Sequence, residues 1–335
     1  MNKFFCSDAC RKADEDIIGS ATNHSVYVLI ECPYPWEYNA LESRFFPKNL
    51  EILMSEVTRK KLSLRFLLIN QNKNYRENSR KILIYEKEQS SFLNGYKKYE
   101  FDVDHPEKIA PTIHKYLAGD NLDSNTQNYQ TRDILVCTHG SHDKCCAKYG
   151  NPFYTEAKKT ISELGLKNTR IWKASHFGGH RFAPTIINFP DGRYYGLLDQ
   201  ESFQAILLQT GNIESLNRVY RGWGILPTCI QVLERELIFR HGWEWFEHKV
   251  NLLHLNINLD KTLVNTQLAV LKPDDSQYIC QAKLVKDQSK TIHTKGSCDA
   301  SHESEFIKYS VSNLSFKFEN KTSEKVLVSS YKKVS

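Results

Sequence analysis

The sequence predicts an α/β fold: two β-α-β-β-β-α units in tandem, followed by a small helical and antiparallel β extension. Three observations carry this. Short apolar, β-branched runs alternate with helically spaced stretches over the first two thirds of the chain. The order strand, helix, three strands, helix occurs once before and once after a polar stretch. Beyond Lys249 the apolar residues recur at every second position, the spacing of half-buried antiparallel strands.

In the first unit, residues 1–120, Ser25 to Cys32 is a buried strand bounded by Pro33. Leu50, Leu53, Met54 and Val57 share one helical face. Leu64 to Ile69 is a second buried strand. Lys81 to Tyr85 and Tyr96 to Val103 are two more, and Pro106 to Leu117 is a helix. A linker rich in Asn, Asp, Gln and Ser runs from Gly119 to Arg132.

The second unit spans residues 131–212. Asp133 to Val136 is a short strand ending at Cys137. Asn151-Pro152 supplies a helix cap and a first-turn proline, Phe153, Ala157, Ile161 and Leu164 form one face, and Gly165 closes the helix. Thr169 to Lys173 is a strand leading to His176. Phe182 to Phe189 and Arg193 to Leu198 flank Pro190-Asp191-Gly192, a hairpin turn signal. Glu201 to Leu208 is the closing helix. The resulting order resembles a thioredoxin-like domain, so tandem thioredoxin-like units are expected. The extension, residues 213–335, contains a helix from Leu226 to Arg240, helical structure to about residue 248, and then a β-rich part. From Lys286 on, Lys, Ser and Thr predominate and loose packing is expected.

A chain of 335 residues can bury a sizeable core. No stretch reaches the roughly 18 to 20 apolar residues of a membrane span. The start, Met1 to Asp8, turns polar too early for a secretory signal, so a cytoplasmic protein is expected, with no membrane partner. The net charge of +6 comes from scattered lysines, which speaks against a nucleic-acid partner. Nine cysteines, an odd number in a chain without a leader, argue against a disulfide framework. Cys32, Cys229 and Cys280 read as small buried hydrophobes.

Two pieces fit together as a metal site: Cys137 and Cys146, separated by eight residues, and His176-Phe177-Gly178-Gly179-His180. Cys137 follows a strand, as does His176, which is where α/β sheets present functional loops. The two glycines let the backbone turn tightly, so both imidazoles can face one group. Thiolate with imidazole suits either zinc or an iron–sulfur cluster. The His pair has the spacing of a structural zinc site, whereas the Cys pair is wider than zinc usually requires.

These residues resemble the sucrase/ferredoxin-like family, also described as thioredoxin-like [2Fe–2S] ferredoxins. Its mark is Cys-x₈-Cys followed by His-x-Gly-Gly-His. Leu135 to Gly140, Asp143 to Ala147, Ser175-His176, His180 to Pro184, Tyr195-Gly196 and Tyr220-Arg221-Gly222 match as well. Cys6-Ser7-Asp8 and Pro35-Trp36 look like the family's opening. The resemblance covers about residues 4 to 225. It implies a [2Fe–2S] cluster held by Cys137, Cys146, His176 and His180. Cys145 is left as a second thiol beside the ligand. His139 and His142 read as solvent-facing or hydrogen-bonding, and Arg181 as a donor to a cluster sulfur or a group facing a partner.

Two neutral imidazoles in place of thiolates would raise the cluster's potential, and their titration would couple it to protons. The expected function is therefore a one-electron carrier in cellular redox metabolism, fed by an unidentified donor such as a flavin reductase and emptied by an unidentified acceptor. The alternative is a zinc-stabilised thioredoxin-like binding module without a redox role. Sugar hydrolysis needs two carboxylates flanking the scissile bond, and no segment singles out such a pair. A thiol oxidoreductase needs a poised pair. The nearest approach, Cys6-x₃-Cys10, falls at a terminus expected to be mobile.

Overall fold

The structure, a computed structural model, describes residues 4–60, 63–71, 79–120 and 131–318. Residues 121–130 of the expected linker and the tail beyond 318 lie outside the described residues. A short helix, α1 (Cys6–Lys12), opens the chain. The first half follows as β1 (Val26–Glu31), α2 (Leu50–Arg59), β2 (Leu64–Asn70), β3 (Arg80–Lys87), β4 (Tyr96–Val103) and α3 (Ile109–Ala118). The second half is β5 (Arg132–Cys137), α4 (Asn151–Glu163), β6 (Thr169–Ala174), β7 (Ile186–Phe189), β8 (Arg193–Tyr195) and α5 (Gln200–Leu208). Then come α6 (Leu216–Val219), β9 (Tyr220–Trp223) and α7 (Thr228–His241). The C-terminal strands are β10 (Lys249–Ile257), β11 (Leu263–Leu271), β12 (Gln277–Lys286), β13 (Ile292–Thr294), β14 (Ser304–Phe306) and β15 (Tyr309–Phe318).

The fold is mixed α/β, as expected. Nine strands form one sheet in the order β4-β3-β1-β2-β6-β5-β7-β8-β9. β1 runs parallel to β2, and β5 parallel to β6; the other pairs are antiparallel. The order β2-β1-β3-β4 of the first half is repeated as β6-β5-β7-β8 in the second. The halves join through a short pairing, Ile69 with Ala174 and Asn70 with Lys173.

Period-two alternation decides which face each residue serves. On β1, Val28 and Ile30 face a core formed with Leu50 and Leu53 of α2 and Ile109 and Ile113 of α3. Tyr27 and Leu29 face the other way, into the core shared with the second half. There Tyr85 stacks on Phe189 at 4.1 Å, and the Tyr27 and Tyr194 hydroxyls lie 2.6 Å apart. The two halves thus pack face to face behind their short junction. At the centre is the Asp133 carboxylate, fully buried and held by Lys98, Arg170 and Trp172.

Two boundaries differ from expectation for reasons of backbone chemistry. β7 begins at Ile186, not Phe182, because Pro184 has no N–H for the ladder and residues 180–182 form a tight turn. Asn151 is already helical: Cys146–Gly150 makes a wide π turn that leads straight into α4. Gly150 is needed there, since a Cβ would lie 2.0 Å from the Cys137 carbonyl oxygen.

Strands β10, β11, β12 and β15 form an antiparallel sheet. Val264, Leu268, Val270 and Cys280 on its inner face join α7 in the main core. The chain after Lys286, expected to be loosely packed, is instead built in as far as residue 318. β15 pairs with β12 along its length, and Lys308 is buried against Glu15. The opening segment is likewise ordered: Cys6, Ser7 and Cys10 of α1 are buried, which corrects the expectation of a mobile terminus.

Candidate metal centre

The parallel strands β5 and β6 end side by side, pairing Cys137 with Ala174. Cys137 therefore sits next to the segment that carries His176. The π turn at Cys146 folds the loop back, placing the Cys146 sulfur 3.3 Å from that of Cys137. His176 Nδ1 lies 3.9 Å from the first sulfur and 4.0 Å from the second. Burial, reinforced by the neighbouring His142 and His180 rings, pushes His176 down to about 2, so its ring is neutral with a lone pair to offer. Burial opposes ionisation of Cys137, but the contact with Cys146 and the backbone N–H groups of His139 and Phe177 together outweigh it and lower Cys137; the contact with Cys137, followed by burial, raises Cys146. Of the two thiols, Cys137 is the more readily ionised.

His180 joins through His176: their rings lie 4.9 Å apart. His180 Nε2 donates to the Gly296 carbonyl at 2.6 Å, so Nδ1 carries the lone pair. That Nδ1 is buried and has no partner. A buried imidazole nitrogen without a hydrogen-bond partner, next to the ring that meets two close sulfurs, has a lone pair free for a metal. The donors form two overlapping groups, Cys137 with Cys146 and His176, and His142 with His176 and His180. These buried Cys and His residues can hold a metal ion.

The loop that carries His176 and His180 is fixed from outside. Gly179 has φ +79°, and a Cβ there would strike the Arg221 guanidinium at 2.4 Å. Arg221 is buried, donates to Gly178 O and Ser20 O, and is pushed down to about 10 by that burial. Arg65 donates to His176 O at 2.9 Å. In the sequence Tyr220-Arg221-Gly222 stands out only as a match to the family pattern, since a contact across some 40 residues leaves no local signal.

His139 is hydrogen-bonded at both nitrogens, accepting from the His176 N–H at 3.2 Å and donating to Glu37 O at 2.6 Å. His142 is half-buried rather than turned to solvent, stacked on His176 at 4.1 Å and bonded to Tyr38 O. Segment 34–38 of the first half thus covers the ligand loop, with Tyr34 bonded to Thr138 O and Trp36 O to Ser141. A cavity of about 340 Å³, lined in part by Tyr38, Leu41, Arg65 and Phe66, opens onto His142 and His176. Arg181 takes neither expected role: it is buried, paired with Glu15 and packed on Phe306 at 3.5 Å. Cys145 points away from Cys146 toward Cys6 and Cys298, and hydrogen bonding by Cys6 lowers it to about 7.

Fold and centre together define a class: a mixed α/β protein with a Cys/His cluster that could hold a metal ion at the ends of two parallel strands. A model of the sucrase/ferredoxin-like family matches residues 17–222, more than half of the chain. The chain belongs to that family. Over 109 residues it is 31% identical to "Altered inheritance of mitochondria protein 32" of Debaryomyces hansenii, covering 30% of this chain and 39% of the relative. Over 119 residues it is 23% identical to the protein of the same name from Meyerozyma guilliermondii, covering 33% and 42%. The chain thus spans about two fifths of the length of the curated relatives it matches. No solved structure matches it.

These relatives overturn the expectation of a one-electron carrier in cellular redox metabolism. Their name concerns the inheritance of mitochondria, and nothing in the family match adds a carrier role. The physical reason for the over-reading is plain. Thiolates and imidazoles bind a metal whether or not it changes oxidation state, so the donor set specifies coordination and not electron transfer. Among the described residues no helix is long and apolar enough to cross a membrane.

Proposed function

We propose that this chain is a metal-cofactor protein acting in the inheritance of mitochondria, with a [2Fe–2S] cluster held by Cys137, Cys146, His176 and His180. The observation that carries the proposal is the convergence of two sulfurs at 3.3 Å on His176 Nδ1, with His180, whose Nδ1 has no partner, reaching the group through the His176 ring. Two overlapping donor groups sharing His176, rather than one compact shell, favour a two-iron group over a single ion. When bound, such a cluster supplies coordination bonds that cross-link the ends of β5 and β6 to the loop between Cys137 and Cys146.

The protein's own residues do the rest. His139 holds the His176 backbone in place. Gly296 O fixes the His180 tautomer so that Nδ1 is the ligating atom. Arg221 and Arg65 brace the histidine loop. The repeated strand order in the two halves supports reading them as tandem thioredoxin-like units. All nine cysteines are free and buried, which supports a reducing compartment such as the cytoplasm.

The test is iron and sulfide analysis of chain purified without oxygen, with pulsed EPR of the reduced sample. About two irons and two sulfides per chain are expected, with nitrogen couplings from two imidazoles that fall to one in His176→Ala or His180→Ala and are unchanged in His142→Ala. Absence of iron and sulfide from well-folded anaerobic protein would remove the cofactor. Cells carrying only the Cys137→Ser chain should pass on mitochondria as abnormally as cells lacking it; normal inheritance in both would remove the role.

A further inference from the structure

The loop that carries Cys146 presents a second group of donors on its other side. Cys6, Cys145, Cys298 and Asp143 come from three distant parts of the chain, and all four are buried. The sulfurs stand at the corners of a nearly regular triangle: Cys6 to Cys145 is 3.5 Å, Cys145 to Cys298 3.4 Å, and Cys298 to Cys6 3.5 Å. Asp143 Oδ1 lies 3.2 Å from the Cys298 sulfur and 3.9 Å from that of Cys6.

We propose that these four side chains form a second metal site, a tetrahedral S₃O centre for one zinc ion, separate from the Cys137, Cys146, His176 and His180 set. Zinc–sulfur bonds of about 2.3 Å and a zinc–oxygen bond of about 2.0 Å give a tetrahedron with S···S edges of about 3.8 Å and S···O edges of about 3.5 Å. The observed S···S edges, 3.4 to 3.5 Å, are a few tenths of an ångström shorter, and the S···O distances of 3.2 and 3.9 Å lie on either side. Thiolates serving different irons of a cluster would have to stand further apart, so the group suits a single ion. A disulfide accounts for it poorly, since it would draw two sulfurs to about 2.05 Å and orphan the third. Soft thiolates with one carboxylate favour zinc over magnesium or calcium.

The surroundings are those of a ligand shell. The Ser7 N–H points at the Cys145 sulfur at 3.4 Å, stabilising a thiolate. Asp143 is oriented by the backbone N–H groups of Cys145, at 2.8 Å, and Cys298, at 3.0 Å. On binding, three S–H bonds break, three protons leave to solvent, and three Zn–S bonds and one Zn–O bond form. The ion ties α1, the 137–146 loop and the segment before β14 into one unit. That segment also carries Gly296, whose carbonyl holds His180. The second site therefore steadies the first.

The test is zinc and iron counting on full-length chain purified without chelator, for the native protein and two variants. The native chain and Cys137→Ser/Cys146→Ser should both hold one zinc, and Cys298→Ser should hold none. With cobalt, the first two should show thiolate-to-metal absorption that Cys298→Ser lacks. Native chain that holds no zinc and takes up no cobalt, or that shows a Cys6–Cys298 or Cys6–Cys145 disulfide by mass spectrometry, would overturn the site. Should the double variant fail to fold, Cys298→Ser in the otherwise native chain decides: loss of zinc supports the site, and unchanged zinc refutes it. Zinc without iron would count against the cluster and leave this site standing.

Discussion

Cys145 and Cys146 are neighbours in sequence but belong to different clusters. The Cys146 sulfur lies 3.3 Å from Cys137, and the Cys145 sulfur lies 3.4 Å from Cys298 and 3.5 Å from Cys6. The π turn that starts at Cys146 sends the two side chains to opposite sides of one loop. Serine in place of either should therefore have separable effects. Cys146→Ser is expected to lose iron and keep zinc, and Cys145→Ser the reverse, read by elemental analysis of the two purified proteins. Loss of the same metal from both would contradict the division.

His139 is a positioning residue with both nitrogens occupied in a buried setting. His139→Ala leaves the Glu37 carbonyl and the His176 N–H unpaired. Each such loss costs about 1–3 kcal/mol. For the two together, denaturant unfolding should show a drop of about 2–6 kcal/mol, with iron content falling because the His176 backbone is released. Unchanged stability and iron would mean the two hydrogen bonds are dispensable.

Gly179→Ala tests the brace on the histidine loop. The added Cβ meets the Arg221 guanidinium at 2.4 Å, and the residue must still adopt φ +79°. Left-handed backbone alone costs about 1–3 kcal/mol for a side chain. The variant should unfold earlier and bind iron less well than Gly119→Ala, also at positive φ but with open space around it, where the loss should be confined to the backbone cost.

Asp133 is the polar centre of the face-to-face core. Its carboxylate accepts from Lys98 at 2.7 Å, Arg170 at 2.6 and 2.9 Å, Trp172 at 2.7 Å and Tyr85 at 2.5 Å. Asp133→Asn removes the buried carboxylate from Lys98 and Arg170, leaving both on Glu100 alone, and should cost about 3–5 kcal/mol, measured by chemical denaturation. A loss below 1 kcal/mol would show that Glu100 compensates for it.

Glu100 makes acid stability the readout for the same network. Burial alone would raise it, but the Arg170 guanidinium and the Lys81 ammonium hold it down, at about 2. Its folded pKa is thus below its ordinary 4.5, so its contribution is full above pH 4.5 and is lost as pH falls toward 2. The shift corresponds to about 3 kcal/mol. Between pH 5 and pH 2 the native chain should lose roughly that much more stability than Glu100→Gln; parallel acid curves would show that the pairing does not stabilise the fold.

Taken alone, the sequence determined what local chemistry controls. Apolar runs of β-branched residues set the strands. The 3.6-residue spacing set α2, α4 and α7. The Cys-x₈-Cys and His-x-Gly-Gly-His pieces marked two ligand pairs, because strand ends and glycines carry a local signal. α1 and the strands after Lys286 escaped notice because short polar-rich elements have no periodicity of their own; packing against distant partners holds them in place. The tertiary structure alone decided that the two halves pack face to face around Asp133, and that Arg221 braces a loop some 40 residues away. It also placed Cys6 and Cys298, 292 residues apart, on Cys145. Such convergence depends on where the chain returns in space, and no spacing along the chain encodes it.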